Sequence, residues 1–316
     1  MLTVNPGKLS HSQLSSFYAS PSKVELAQEC WSDIDRSRAV VEDLIEADET
    51  VYGLNTGFGL LANQKISKHD LAQLQVNLIR SHSAGYGELL DDRIVQLMML
   101  LKLASLARGF SGVRREVVKV LIDFLNAGLV PCVPAKGSVG ASGDLAPLAH
   151  MSLALIGEGE VRVKGELVPA AEAIEAAGIT PLKLDSKEGL GLINGTQVST
   201  ALALAALYET EQSFRAAIVA GAMSVDAAMG SDTPFDPRIH EIRNHPGQID
   251  AASMYRSLLA GSEIRNSHRD CSRVQDPYSL RCQPQVMGGV WNRSGHAATV
   301  LHREPMRFTT IHSCFF

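Results

Sequence analysis

The tripeptide Ala141-Ser142-Gly143 is the part of the sequence whose residue types are best suited to unusual chemistry. The nitrogen of Gly143 could attack the carbonyl carbon of Ala141, because such closure needs a backbone without bulky Cβ substituents. Loss of the Ser142 hydroxyl as water would then leave a five-membered electrophilic ring. These residue types are therefore compatible with a cofactor that the chain makes from its own backbone.

The loop around this tripeptide, Gly137-Ser-Val-Gly-Ala-Ser-Gly-Asp144, also has a simpler interpretation. A glycine-rich loop before a helix binds anions through free N–H groups and the helix dipole. A phosphate-binding loop would end in Gly-Lys-Ser/Thr, and a dinucleotide fingerprint would follow a strand. A nucleophile elbow would place glycine two positions after the serine, whereas Gly143 follows Ser142 directly. The spacing alone leaves a structural loop at a helix start as an equal alternative.

Arg281 is the side chain whose chemistry most directly predicts a bound carboxylate. Its planar guanidinium group suits bidentate binding of a carboxylate. Tyr278 and Gln275 lie three and six positions before it. If this segment is helical, the three side chains share roughly one face and can converge on one pocket.

The composition of the chain excludes several classes of function. The chain has 316 residues, 29 Lys+Arg against 34 Asp+Glu, a net charge of −5 and 45% hydrophobic residues. A disordered chain would be less apolar, and a nucleic-acid binder would have a basic excess. We find no signal-peptide pattern and no apolar run long enough to cross a bilayer. Five scattered cysteines favour reduced thiols, so we expect a cytoplasmic protein that binds neither nucleic acid nor membrane.

Hydrophobic periodicity predicts a mainly α-helical fold. The expected helices cover 23–47, 69–81, 92–109, 114–127 and, as one long helix, 196–229. A helix as long as the last one needs partners along its whole face, which indicates a bundle. Gly128 stands where a C-cap glycine belongs, and Asp144 is predicted to be an N-cap or first-turn acid. Residues 160–169 predict a hairpin that turns at Lys164-Gly165.

Four blocks of sequence together resemble the aromatic amino acid ammonia-lyase family. They are Tyr52-Gly-Leu-Asn-Thr-Gly-Phe-Gly59, the stretch from Gly137 to His150, Gly191-Leu-Ile-Asn-Gly-Thr196, and Gln275-Asp-Pro-Tyr-Ser-Leu-Arg-Cys-Gln-Pro-Gln285. The resemblance implies a mainly α fold, a long-helix bundle of the ammonia-lyase or fumarase/aspartase-like type. It also implies an N-terminal mixed, loop-rich region that contains the electrophile.

The resemblance divides the chain into three parts. Residues 1–195 form the N-terminal region with a flap and the electrophile loop, and residues 196–288 begin the central helical bundle. Residues 289–316 form an aberrant tail, because the match ends near Gly288. Codons for Trp291-Asn-Arg-Ser-Gly295 in a shifted frame can spell the Glu-Gln-Ile-Arg that the family shows there. We therefore expect a frameshifted tail and a truncated bundle, with a divergent natural tail as the alternative.

The family resemblance assigns catalytic roles to residues that also have ordinary structural interpretations. It implies that Ala141-Ser142-Gly143 matures into 4-methylidene-imidazol-5-one (MIO), with no external cofactor and no metal. Tyr52, otherwise a packing tyrosine, is implied to be the base that takes the β-proton of the substrate. Asn194, otherwise a turn residue, is implied to contact the electrophile and the substrate carboxylate. Tyr278 is implied to lie near the electrophile.

The resemblance also implies how the substrate is bound. From its residue type alone, His82 is better interpreted as a buried hydrogen-bonded histidine. The resemblance instead implies that it faces the substrate ring, while Gln275 and Arg281 hold the polar groups of the substrate. A polar residue at position 82 argues for a polar aromatic substrate. The resemblance as a whole implies L-histidine, with urocanate and ammonia as products. The alternatives are a tyrosine or phenylalanine lyase or aminomutase with the same electrophile, and an inactive truncated fragment. A homotetramer is implied for a full-length parent of this chain.

Overall fold

The computed structural model describes residues 1–51, 53–57 and 64–304, and the chain forms two compact units. The first unit contains Met1–Ala205 and the residues from Leu301 onward, and the second contains Ala206–Val300. The described residues are mainly helical, as predicted. The borders that the motifs predict, after residues 195 and 288, stay a prediction.

Helices make up most of both units. In the first unit they are α1 (His11–Ala19), α2 (Cys30–Glu46), α3 (Leu71–His82), α4 (Asp92–Leu106), α5 (Arg115–Ala127), α6 (Leu145–Leu155), α7 (Ala170–Ala176) and α8 (Glu188–Ile193). The long helix α9 (Gln197–Ala227) follows, and the predicted helix over 196–229 is thereby confirmed. The remaining helices are α10 (Pro237–Arg243), α11 (Pro246–Leu259), α12 (Glu263–Ser267), α13 (Tyr278–Arg281) and α14 (Gln283–Leu301).

Short strands join the loops of the first unit. They are β1 (Leu2–Val4), β2 (Val24–Leu26), β3 (Tyr86–Leu89), β4 (Val130–Pro131), β5 (Pro134–Lys136), β6 (Glu160–Val163) and β7 (Glu166–Pro169). The first two pair in parallel, β3 pairs with β5, and β4, β6 and β7 form an antiparallel sheet in that order. The hairpin predicted over residues 160–169 is confirmed as β6 and β7.

The α4 and α5 helices supply the core of the first unit. Every side chain of α4 from Leu97 to Leu106 is buried, because the helix is apolar nearly all round. The α5 helix is amphipathic and buries one stripe, which includes Val117, Leu121 and Phe124. It ends at Gly128, whose φ of +68° is the left-handed conformation expected of a C-cap glycine.

One helix prediction is wrong at its start. Residues 23–47 read as helical, but Val24–Leu26 form β2 and the helix begins only at Cys30. The side chain of Asn126 accepts from the Val24 N–H at 2.7 Å and donates to the Val24 carbonyl oxygen at 2.9 Å. These long-range hydrogen bonds, with the pairing to β1, favour the extended backbone over the local helical pattern.

The second unit has its own apolar core. Phe235 stacks on Tyr255 with ring centroids 5.3 Å apart, and Phe214 stacks on Trp291 at 4.9 Å. Phe214, Phe235 and Tyr255 belong to one cluster of buried residues, with Ile218, Ala222, Val225, Ala251 and Leu259, and the partly buried Trp291 packs against it. The predicted helical bundle therefore has a packed interior in this unit.

An ion pair between the buried Glu188 and the partly exposed Arg114 fixes α8, the short helix that leads to Asn194. Glu188 is 0% exposed, and its carboxylate accepts from Arg114 Nη2 at 2.7 Å and from Arg114 Nε at 2.8 Å. It also accepts from the backbone N–H groups of Arg114 and Asp185. The next residue, Gly189, packs so closely on α3 that an added Cβ would lie 2.8 Å from the Gln75 carbonyl oxygen.

Replacing Glu188 by alanine is expected to destabilise the fold. The Glu188→Ala variant leaves the partly buried N–H donors of Arg114 and Asp185 without this acceptor and removes the nearest counter-charge of Arg114, a loss of about 3 kcal/mol. Urea unfolding followed by circular dichroism measures this loss. The Glu116→Gln variant, at an exposed position of α5, is the control and should differ little from the wild type. Equal stability of both variants would contradict the anchoring role of Glu188.

Candidate active site

Two glycines bring the loop Gly137–Asp144, called here the electrophile loop, into direct contact with residues 194 and 195, called the Asn194 loop. Gly143 and Gly195 form a parallel β-bridge, and the N–H of Asp144 donates to the carbonyl oxygen of Gly195 at 2.7 Å. A Cβ added to Gly143 would lie 2.3 Å from that oxygen, and its φ is +92°. Only glycine fits at position 143 without moving one of the two loops.

The side chain of Asn194 contacts the tripeptide Ala141-Ser142-Gly143. Asn194 is buried at the end of α8, and its Nδ2 donates to the carbonyl oxygen of Ser142 at 3.2 Å. Ser142 has a φ of +62° and is exposed, as is Ala141. The tripeptide is therefore held by a buried side chain through its backbone, while Ala141 and Ser142 themselves are exposed.

Asp144 stands at the N-cap position of α6, but its side chain makes no capping hydrogen bond to that helix. Its carboxylate, only 1% exposed, instead accepts from the backbone N–H of Ser199 at 2.7 Å and from Ser199 Oγ at 2.6 Å. It also accepts from Ser138 Oγ at 2.9 Å. Asp144 thereby caps the first turn of α9, which sequence reasoning did not predict.

The helices α6 and α9 each begin two residues after one of the bridged glycines. The α6 helix starts at Leu145, and α9 starts at Gln197. A helix N-terminus presents free N–H groups and a partial positive charge. Both helix starts therefore favour electron-rich groups near the Gly143–Gly195 contact.

Lys102 is a site residue that sequence reasoning missed. It is 0% exposed within α4, and its Nζ donates to the carbonyl oxygen of Asn194 at 2.8 Å. Burial lowers the pKa of Lys102 to about 7, and the negative charge of Asp144 partly opposes that change. The signal in the sequence was a single lysine inside an apolar run.

The loop after His82 lies against the start of the electrophile loop. The β3 and β5 strands pair Tyr86 with Lys136, and a Cβ added to Gly137 would lie 3.0 Å from the Cα of Gly85. His82, the last residue of α3, is only partly buried and donates through Nδ1–H to the Leu78 carbonyl oxygen at 2.9 Å. In neutral His82 this contact leaves Nε2 as a hydrogen-bond acceptor.

His150 has a structural task that its sequence position did not reveal. Its Nε2 on α6 accepts from the backbone N–H of Gly85 at 3.0 Å, and burial lowers the pKa of His150 below its ordinary value of 6.5. The neutral ring therefore joins the loop after His82 to the helix that follows the tripeptide.

The other predicted residues are placed as follows. Tyr52 lies outside the described residues, as does Gly59 of the same loop. Gln275, Tyr278 and Arg281 belong to the second unit, where Arg281 stacks on the Tyr278 ring at 4.3 Å and its Nε donates to the Asp276 carbonyl oxygen. The helix starts only at Tyr278, so Gln275 is not on a shared helical face. The approach of these residues to Ser142 stays a prediction.

The residues of the first unit fit the proposed MIO group. A Cβ added to Gly143 would clash with the Gly195 carbonyl oxygen. Ser142 and Gly143 both have positive φ values, so the tripeptide is already sharply turned. Asn194 donates to the one carbonyl oxygen that such a ring would keep from Ser142. Among residues 1–51, 53–57 and 64–304 no group of three His, Cys, Asp or Glu side chains could hold a metal ion. In the same ranges no helix is long and apolar enough to span a membrane.

These features define a class of protein. Residues 9–309 match the family model described as aromatic amino acid lyase, and the chain belongs to this family. The match continues past Gly288, where the motifs alone ended, and the origin of the tail stays a prediction.

The similar proteins include histidine ammonia-lyases. Those of Vibrio cholerae and Enterobacter sp. are 55% and 54% identical to the chain over 304 and 301 residues, which cover 96% and 95% of it. The chain spans only 60% of the length of each of these curated relatives.

Solved structures show the same fold. Histidine ammonia-lyase from Trypanosoma cruzi has a TM-score of 0.89 at 35% identity and covers 100% of this chain and 59% of its own. A phenylalanine aminomutase from Pantoea agglomerans has a TM-score of 0.92 at 30% identity, covering 100% of this chain and 64% of its own. The predicted ammonia-lyase fold is confirmed.

The hydrogen bond from Gly85 to His150 predicts a pH-dependent stability. The pKa of His150 is lower in the folded chain than its ordinary value of 6.5. The contribution of neutral His150 to the free energy of unfolding is therefore complete above pH 6.5, and it is lost as the pH falls from 6.5 toward the pKa of the folded chain. Unfolding free energies of the wild type and of His150→Gln, measured between about pH 8 and pH 5, should converge as the pH falls. Parallel curves would contradict this assignment.

Proposed function

We propose that this chain contains the electrophile-forming part of an enzyme that removes ammonia from L-histidine without oxidation, giving trans-urocanate. The observation that supports this most strongly is the contact of Ser142 and Gly143 with Asn194 and Gly195. The identity of more than half of the residues with histidine ammonia-lyases supports the choice of substrate.

The first chemical event in this proposal is the maturation of the tripeptide. The Gly143 nitrogen bonds to the carbonyl carbon of Ala141, and the carbonyl oxygen leaves as water with the N–H protons of Gly143 and Ser142. Ser142 then loses its Cα proton and its hydroxyl as a second water, which forms an exocyclic double bond. No oxidant or reductant is needed, because only water is lost.

The matured group would supply an electrophilic carbon that takes up the substrate nitrogen and makes ammonia a better leaving group. In the proposal, Arg281 binds the α-carboxylate through two parallel hydrogen bonds. Tyr52 takes the β-proton, a role for which its phenol must ionise well below its ordinary pKa near 10. A helix N-terminus directed at the phenolate would favour that negative charge.

His82 is proposed to select the aromatic ring of the substrate. Its Nδ1–H is engaged with Leu78, so the neutral ring offers Nε2 to the N–H of an imidazole. A phenyl ring has no such donor. This difference favours histidine over phenylalanine, and Gln275 is proposed to add polar contacts around the substrate.

Assembly and location rest on the family resemblance. We propose a small-molecule substrate, a homotetramer for the full-length parent, and a cytoplasmic location. Size-exclusion chromatography with light scattering measures the oligomeric state directly. A stable monomer of a full-length parent would contradict the proposed homotetramer.

Maturation of the tripeptide can be measured without any assay of activity. A peptide that spans Ala141 to Gly143 is expected to be lighter than its sequence mass by two waters in the wild type. The Ser142→Ala variant has no hydroxyl to lose, so it cannot complete the reaction and should not turn over histidine. A wild-type peptide of unreduced mass would contradict the proposed electrophile and favour an inactive fragment.

The choice of substrate can be tested by replacing His82. The wild type should release the conjugated acid from histidine faster than from tyrosine or phenylalanine, as followed by product absorbance. Since a good polar contact to the reacting molecule is worth about 1.5–3 kcal/mol, His82→Leu should slow the reaction of histidine at least about tenfold. Faster release from tyrosine or phenylalanine by the wild type would instead support the tyrosine or phenylalanine lyase, or the aminomutase.

A further inference from the structure

Lys102 lies in α4, within a stretch from Leu97 to Leu106 in which every residue is buried. Its side chain is 0% exposed, and the residues of α4 on either side of it, Leu101 and Leu103, are buried leucines. An ammonium group in such surroundings loses its hydration, which destabilises the folded state unless polar contacts compensate. A methionine would fill similar space without that cost, so the contacts of Lys102 need an explanation beyond packing.

Those contacts lead to the backbone of the Asn194 loop. Lys102 Nζ donates to the Asn194 carbonyl oxygen at 2.8 Å, and the N–H of Asp144 donates to the next carbonyl oxygen, that of Gly195, at 2.7 Å. Two consecutive carbonyl groups are thus fixed from two different helices. With its backbone held in this way, the Asn194 side chain reaches the Ser142 carbonyl oxygen.

The charge of Lys102 is balanced within the same cluster. Asp144 is 1% exposed and its negative charge favours the ammonium form of Lys102. Ser138 and Ser199 donate to the Asp144 carboxylate, so that charge is held in place by hydrogen bonds. Lys102 is therefore part of a fixed polar network, with Asp144 and the backbone of Asn194 and Gly195, rather than an isolated buried charge.

We propose that Lys102 is a positioning residue for the loss of water from Ser142, an inference that rests on the proposed function. In this step the Cα–H and Cβ–Oγ bonds of Ser142 break, a carbon–carbon double bond forms, and the proton and hydroxide leave as water. As the Cα proton leaves, negative charge grows on the Ser142 carbonyl oxygen, and Asn194 Nδ2–H stabilises it. Lys102 holds Asn194 in the orientation that this requires.

The test follows water loss in the full 316-residue chain. The wild type and Lys102→Met are made by cell-free synthesis, and the mass of the peptide that spans Ala141 to Gly143 is measured over time. Loss of one charge-assisted hydrogen bond predicts that water loss from Ser142 in Lys102→Met is slower by about tenfold or more. Lys102→Gln, which keeps an uncharged donor, should have an intermediate rate and also serves if Lys102→Met does not fold.

Lys187 provides a matched control. It is also a buried lysine, 6% exposed, whose Nζ donates to a backbone carbonyl oxygen, that of Ser111 at 3.1 Å. The Lys187→Met variant should mature at the wild-type rate. Circular dichroism and thermal melting of each variant confirm that folded proteins are compared.

A double variant separates positioning from general destabilisation. If Lys102 acts through Asn194, the variant with both Lys102→Met and Asn194→Ala should mature no more slowly than Asn194→Ala alone. Additive effects, or wild-type maturation of Lys102→Met, would overturn the inference and leave the proposed function intact. A wild-type chain that retains both waters would overturn the proposed function and this inference together.

Discussion

The contact between Gly143 and Gly195 is the constraint on which the rest of the candidate site depends. It places two loops so close together that no side chain fits at position 143, and it starts two helices from the same point. Asn194 reaches Ser142 only because this contact brings their segments together. The ion pair of Glu188 with Arg114 holds α8 in the position from which the contact is made.

Buried polar groups surround this contact where an ordinary helical core would be apolar. Lys102, Asp144 and Glu188 are each at most 1% exposed, and each has partners in a different element of the first unit. Such groups add little to stability compared with well-packed apolar side chains, but they fix one arrangement of the backbone. In this region the core is less stable than an apolar core would be, but the geometry of the loops is well defined.

The sequence predicted the long elements of the fold and the residues of the tripeptide, but not their supports. Helices such as α5 and α9 repeat their apolar residues at helical spacing, which is a local signal. The partners of Asp144 and Lys102 are set by contacts 55 and 92 residues away along the chain, which no local pattern encodes. The β2 strand was missed for the same reason, because its partner Asn126 is 102 residues away.

The separation of Ser142 from Asn194 by 52 positions has a consequence for the biogenesis of the protein. During synthesis, the tripeptide emerges well before the segment that orients it. In the proposed maturation, ring closure at Ala141-Ser142-Gly143 would wait for the docking of α8, and nascent or misfolded chains would keep an unreacted tripeptide. The topology would in this way restrict the proposed electrophile to molecules that have already folded.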